Sequence, residues 1–391
     1  MIKIKENIYW AGYIDWDLRN FHGYSTPSGS TYNAYLILDD KPVLIDSVKR
    51  YGFDDMLYRI KQIIDPSKIA YIISNHTEMD HSGSIDELLS FCPKAQVVCS
   101  PKGEEGLKRH FKKEWRFKVV GNQDTLNIGK NTLKFFLMPM VHWPDSMATY
   151  LENDNILFPN DAFGQHYASC ERFADQVGLD IAYREAAKYY ANIVMPYGQQ
   201  VLGVINTLSN LNINMICPSH GLIWRQKSDI DKIVALYKKW ANHESDNRVA
   251  IIYDTMWHST EKIAKKIFEL LDKENLSVKL LNLKTNDVSD IVTEVMFSKV
   301  VAVGTPILNN RIFPTIGGFL TYLKGLKPKN RFACTFGSYG WSKSGFKELE
   351  DALSECGLDL IGSGKYFQFV PGDEDLETLE ETVSNIKKIF K

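Results

Sequence analysis

His76-Thr77-Glu78-Met79-Asp80-His81 decides how the first two-thirds of this 391-residue chain is read, because four of its six side chains are metal-ligand types. The preceding run, Lys68-Ile69-Ala70-Tyr71-Ile72-Ile73-Ser74, is apolar and partly β-branched and predicts a buried strand. After it, Ser82-Gly83-Ser84 leads into Ile85-Asp86-Glu87-Leu88-Leu89, a capped helix start. The ligand types therefore sit on a loop at a strand tip, between two rigid elements. Imidazoles and carboxylates crowded in this way repel or desolvate one another unless a cation lies among them.

Working outward, three more strand-like runs each empty into a potential ligand. Leu133–Met138 leads to His142, Asn155–Phe158 to Asp161 and Asn214–Cys217 to His220. Residues beyond strand C-termini in layered α/β structures gather on one edge. Seven such side chains are too many for one ion; they suit two ions bridged by a carboxylate, about 3.5–4 Å apart. Residues 31–47 predict a hairpin, and helices are expected over about 54–64, 85–91, 103–110, 180–193, 199–211 and 229–240. The pattern is that of two sheets packed face to face with helices outside, an αββα sandwich.

Ala241-Asn242-His243-Glu244-Ser245-Asp246-Asn247 is polar and aperiodic and reads as a linker, dividing the chain into domains 1–246 and 247–391. Beyond it strands and helices alternate strictly. Strands are predicted at Val249–Tyr253, Ser277–Leu283, Lys299–Gly304, Arg331–Phe336 and about Leu360–Val370. The helices fall at about 260–273, 288–296, 316–325, 344–355 and 374–390. This is the grammar of a flavodoxin-like doubly wound parallel sheet.

Composition sets limits. Length alone predicts two domains. With 44% hydrophobic and 24% charged residues the chain is globular, and a formal charge of −2 gives no reason to expect nucleic acid. No apolar run is long enough to span a membrane, and Met1–Lys5 alternates like a first strand and lacks a signal-peptide core, so a cytoplasmic location is expected. The six cysteines are scattered without a C-x-x-C pair, which predicts reduced core thiols and no iron–sulfur or rubredoxin-like module.

The spacing resembles the metallo-β-lactamase loop His-x-His-x-Asp-His, with Glu78 in place of the second His. A carboxylate there makes the site harder and more anionic, favouring iron over zinc. The variant His-x-Glu-x-Asp-His followed by a flavodoxin-like domain resembles the flavodiiron proteins. So do Asp15–Gly23, Thr31–Tyr35, His142–Ser146, Asn160–His166, Pro218–Gly221 and Tyr253–Trp257. The resemblance implies that His76, Glu78 and His142 bind one iron, that Asp80, His81 and His220 bind the other, and that Asp161 bridges them. The residue matching His81 can swing off the metal in parts of the family. It further implies catalytic assistance by His22, over the substrate face, and by Tyr197, whose hydroxyl would donate a hydrogen bond to bound O2 or NO. His166 reads as structural; His110 and His243 read as surface residues.

For the cofactor, Asp254-Thr255-Met256-Trp257-His258-Ser259-Thr260 links a strand to a helix, where hydroxyls and backbone N–H groups form a phosphate site without a cation. Trp257 and His258 replace the usual flavodoxin Thr and Gly, and Thr-Met-Trp-x-Ser-Thr resembles flavodiiron proteins specifically. Pro306, Ile307, Leu308, Asn309 and Asn310, with Ser338, Tyr339, Gly340 and Trp341, lie at the strand ends that flank a flavin ring in flavodoxins. Lacking Gly-x-Gly-x-x-Gly, the domain is expected to hold FMN and not a dinucleotide.

The implied activity is electron transfer from FMN to a di-iron (two Fe) centre that reduces O2 to water, detoxifying O2 in an anaerobe. Asp17–Tyr24 resembles methanogen members that oxidise F420H2, which makes F420H2 the expected donor. The alternative is a rubredoxin-fed nitric oxide reductase making N2O. More distant are a zinc hydrolase fused to a flavodoxin domain and a non-enzymatic electron carrier. The resemblance also implies a head-to-tail homodimer, with the FMN of one chain beside the irons of the other, or a tetramer of such dimers. No nucleic-acid or membrane partner is expected.

Overall fold

The apolar runs Tyr35-Leu36-Ile37, Val43-Leu44-Ile45 and Tyr71-Ile72-Ile73 pair as neighbouring strands in the computed structural model, which describes residues 2–391. They occupy the middle of a seven-stranded sheet ordered Ile2–Lys5, Ile8–Trp10, Tyr35–Ile37, Val43–Ile45, Tyr71–Ile73, Gln96–Cys99, Phe117–Val119. A five-stranded sheet follows, ordered Thr125–Asn127, Thr132–Leu137, Met147–Leu151, Ile156–Phe158, Met215–Ile216. Tyr35, Ile45, Ile73 and Val98 of the first sheet bury one core with Phe135, Met147, Leu151 and Phe158 of the second. Their chain neighbours Leu36, Leu44, Ile72 and Val97 point the other way, onto Met56, Ile60, Ile85 and Leu88 of the outer helices Phe53–Lys61 and Ile85–Phe91. Alternation at period two thus feeds two apolar layers at once, and area removed from water, at about 25 cal/mol per Å², holds them together. The result is the αββα sandwich.

Val249, Ile251, Val300 and Ala302 form the buried centre of the other sheet. Its parallel strands are ordered Ser277–Asn282, Asp246–Tyr253, Ser298–Leu308, Arg331–Tyr339, Leu358–Leu360. In chain order that is 2-1-3-4-5, the flavodoxin-like winding, and near-continuous apolar strands are what a sheet covered on both faces requires.

Several expectations differ in detail. The hairpin spans only Tyr35–Ile37 and Val43–Ile45, because Ser30–Tyr32 pairs instead with Tyr13–Asp15. The first strand is Ile2–Lys5; Met1 lies outside the described residues. The fifth strand of the parallel sheet is split into Leu358–Leu360 and Lys365–Gln368, with Gly362 between them at φ +67. The last helix breaks at Thr378, into Asp373–Glu377 and Leu379–Ile389. The helix from Leu179 ends at Tyr189, where a five-residue π-helical segment, Tyr190–Val194, begins.

Contacts divide the chain at Lys238/Lys239, with the helix Lys227–Ala241 and the strand Asp246–Tyr253 running into the expected linker from either side. Gly23–Ser25 and Tyr190–Gly198 count with the second unit. Ser25 N–H donates to Ser289 Oγ at 3.1 Å, and Asn192 donates to the Ser289 carbonyl at 3.1 Å while accepting from Tyr322 Oη at 2.8 Å. His243, expected at the surface, is buried, because Arg331 folds over it and donates to its carbonyl at 2.6 Å. His110 is exposed.

Candidate metal centre and cofactor crevice

Hydrogen bonds fix the loop after Tyr71–Ile73 before any ligand is placed. Asp46 accepts from Asn75 N–H at 2.8 Å and from its side-chain amide at 3.1 Å, and Thr149 Oγ1 donates to Asn75 Oδ1 at 2.7 Å. The expected loop is half helix. Glu78 stands at the N-cap of the short helix Met79–Ser82, and Ser82 Oγ donates to the Thr77 carbonyl at 2.7 Å. Glu78 makes no capping bond, so its carboxylate is free to turn inward, and the helical turn buries Asp80 and His81 while leaving Met79 exposed.

The seven ligand types come together in two groups: His76, Glu78, His142 and Asp161, and Asp80, His81 and His220. In the first, Glu78 Oε2 stands 3.4 Å from His76 Nε2 and 3.6 Å from His142 Nε2. In the second, Asp80 Oδ2 stands 3.4 Å from His81 Nε2 and 3.2 Å from His220 Nε2. Asp161 faces both. Its Oδ2 lies 3.1 Å from His142 Nε2, while its Oδ1 lies 3.1 Å from His81 Nε2 and 3.3 Å from His220 Nε2.

Ring orientation is set from behind. His76 Nδ1 donates to Asp145 Oδ2 at 2.9 Å, and His220 Nδ1 donates to the Thr31 carbonyl at 2.7 Å, so both rings present Nε2 lone pairs to the cluster. Asp145 also accepts from Thr77 N–H at 2.7 Å. Gly221, at φ +73, closes the His220 turn; a Cβ there would meet the Gln165 carbonyl at 2.4 Å.

Donor chemistry and spacing fit metal ions. Ligands bonded at roughly 2.1 Å stand about 3.0–3.4 Å from one another, and the imidazole–carboxylate pairs of the two groups stand 3.1–3.8 Å apart. His76 Nε2, both Asp80 oxygens and both His81 ring nitrogens are buried without a hydrogen bond among the described residues, an arrangement that is costly unless a cation accepts those lone pairs. Burial opposes a charge on His220, yet Asp161 and Asp80 outweigh it and carry the ring up to about 10. The cluster calls for positive charge, and metal ions would supply it.

In the second unit, a crevice of about 530 Å³ opens at the strand C-termini. Met256, Trp257, Ser259, Pro306, Ile307, Leu308, Asn309, Asn310, Ser338, Tyr339, Gly340 and Trp341 line it, all named from sequence, together with Ser342, Phe369 and Val370, which were not. Thr255, His258 and Thr260 do not line it: Thr260 Oγ1 is buried against Ser338 Oγ at 2.8 Å, Thr255 is buried, and His258 is exposed and pairs with Glu261. Trp257 and Trp341 are 86% and 88% exposed, so they wall the crevice and do not cap the sheet.

A family profile described as ODP family beta lactamase matches residues 31–221, and a flavodoxin profile matches residues 251–384. A nitric oxide reductase of Moorella thermoacetica is 41% identical over 97% of this chain and 96% of its own. The solved rubredoxin oxygen:oxidoreductase of Desulfovibrio gigas superposes with a TM-score of 0.96 at 39% identity, covering 99% of this chain and 97% of that one. The flavodiiron protein of Giardia intestinalis gives a TM-score of 0.96 at 32% identity, over 100% and 96%. The chain belongs to the flavodiiron proteins.

Within this flavodiiron chain, His22 sits at φ +54 with an exposed ring, and its Nε2 lies 2.8 Å from Glu78 Oε1. Tyr197 is half-buried in the one-turn segment Met195–Tyr197 of the second unit. His166 is buried, with Nδ1 2.7 Å from Ser30 Oγ, and burial and the neighbouring His220 hold it well below the usual imidazole range. Sequence reasoning assigned no role to Asp145, although it stands in the quoted His142–Ser146 motif. It also missed Tyr189, a buried ring 6.1 Å from His220 that carries no signal beyond an apolar helical pattern. The flavin reading fits too: Thr255 Oγ1 is a buried hydroxyl without a partner among the described residues, beside the N-terminus of the 14-residue helix Ser259–Asp272. Among the described residues, no helix is long and apolar enough to cross a membrane.

Proposed function

We propose that this flavodiiron oxidoreductase reduces O2 to water with electrons from F420H2. The observation that carries the reading is the Glu78-containing cluster, in which imidazoles meet carboxylates on both sides with no thiolate, a donor set that suits iron better than zinc. When bound, FMN supplies electrons singly or in pairs and a di-iron centre binds and reduces the gaseous acceptor.

The chain's own residues do the rest. His76, Glu78 and His142 would hold one iron, Asp80, His81 and His220 would hold the other, and Asp161 faces both groups. Asp145 and the Thr31 carbonyl keep two rings aimed. His22, solvent-facing and hydrogen-bonded to Glu78, holds a proton at Nε2 within reach of the cluster. Tyr197 supplies a hydroxyl donor to the acceptor. Met256, Trp257, Pro306 to Asn310 and Ser338 to Trp341 would hold the flavin ring, and Thr255 and Ser259 its phosphate. The F420H2 assignment rests on Asp17–Tyr24. In a head-to-tail homodimer the crevice of one copy would serve the metal cluster of the other. Reduction of NO to N2O is the second reading, favoured by the 41% identity to a protein named nitric oxide reductase.

Anaerobically purified protein should contain two irons and one FMN per chain and consume O2 faster with F420H2 than with rubredoxin. Asp161→Ala should lose O2 consumption and iron while keeping FMN. Two zinc ions with thioester hydrolysis would sink the proposal.

A further inference from the structure

A lysine braces the loop that the sequence pattern describes as cation-free. Lys284, just beyond the strand Ser277–Asn282, donates from Nζ to the Thr255 carbonyl at 2.6 Å and lies 3.3 Å from Asp254 Oδ1. Asp254 is fully buried: its Oδ1 accepts from Thr255 N–H at 2.6 Å and its Oδ2 accepts from Thr315 Oγ1. Lys284 is itself held, with its N–H donating to Asn282 Oδ1 at 2.8 Å and its ammonium 5.8 Å from the centre of the Phe313 ring.

We propose that Lys284 is the positioning residue of the flavin phosphate loop, fixing the Thr255–Met256 peptide and neutralising Asp254 beneath it. The inference rests on the FMN reading above. In a trans peptide the C=O and N–H point in opposite directions. Pinning the Thr255 carbonyl to Lys284 therefore turns the Met256 N–H to the other face of the loop, and Met256 lines the crevice. That N–H, the partnerless Thr255 hydroxyl and the start of helix Ser259–Asp272 become donors preset for a phosphate. Asp254 alone would oppose this, because a buried carboxylate repels a phosphate dianion; the ammonium beside it cancels that charge. Thr315 ties the same carboxylate to the helix Pro314–Leu326, so one ion pair joins three segments around the crevice.

The test compares FMN with riboflavin, which has the same ring and no phosphate. Full-length protein stripped of flavin is titrated with each, following fluorescence quenching, for wild type, Lys284→Met and Lys284→Arg. Lys284→Met should raise the FMN Kd by about tenfold or more and leave the riboflavin Kd within about twofold. Lys284→Arg should recover most of the FMN affinity. Lys284→Gln carries the same expectation if the Met variant does not fold. An FMN Kd unchanged in both uncharged variants, or equal weakening of both flavins, overturns the inference while the FMN reading stands. Wild-type protein that binds neither flavin overturns both.

Discussion

The Asp145 carboxylate sits directly behind His76, accepting from its Nδ1 at 2.9 Å while also taking the Thr77 N–H at 2.7 Å. One side chain thus fixes both the tautomer of the His76 ring and the backbone that carries it. Asp145→Asn should weaken iron binding by about 10–100-fold with FMN content unchanged. Chelator competition followed by iron analysis measures this; equal iron retention would show that His76 needs no support.

Trp341 is the most exposed wall of the crevice, and an aromatic in that position gains most by covering a flavin ring. Stacking of this kind contributes about 0.5–1.5 kcal/mol beyond area burial. Trp341→Ala should raise the FMN Kd by at least about threefold and leave the iron content unchanged. A titration of stripped protein decides it.

Arg172 is buried against the Trp10 ring, 4.5 Å from its centre, and none of its three guanidinium nitrogens has a hydrogen-bond partner among the described residues. Burial pushes it down to about 10. A charge held this way costs stability at neutral pH, and an apolar chain of similar length removes that cost. Arg172→Met should therefore raise the unfolding free energy obtained from urea titration by about 1 kcal/mol after the loss of the cation–π contact is counted. A drop of more than about 2 kcal/mol would instead reveal an anionic partner.

His243 gives a pH signature. Burial, and then the positive charge of Arg331, push it down to about 4, so the folded chain keeps it neutral. An unfolded imidazole takes a proton near 6.5. Its contribution is therefore intact above about pH 6.5 and is lost as the pH falls toward 4. Between pH 7 and pH 5 wild type should lose about 2 kcal/mol more than His243→Gln in urea unfolding. Parallel curves would contradict this.

The convergence of the seven side chains was legible because each run or loop that carries them follows an apolar stretch that reads as a strand, and strand ends gather at a sheet edge. Asp145 was visible as a letter but not as a support, since nothing local shows which ring a carboxylate will reach. The helical turn Met79–Ser82 was hidden for a similar reason: Glu78 occupies a cap position but spends its carboxylate on the cluster. Gly23–Ser25 and Tyr190–Gly198 were placed with the first domain because chain order suggests it. Hydrogen bonds to Ser289, far along the chain, assign them otherwise. His243 read as surface because burial there depends on Arg331, 88 residues later. In the crevice, Phe369 and Val370 escaped notice because they follow a strand split by Gly362, which the apolar pattern presents as continuous.

The ligands arrive along the nascent chain in the order His76, Glu78, Asp80, His81, His142, Asp161 and His220. Neither group is complete early: the first waits for Asp161, and the second for His220. A nascent fragment ending short of Asp161 can offer only partial chelation, so a full set of donors exists only once His220 has emerged and docked on the Thr31 carbonyl.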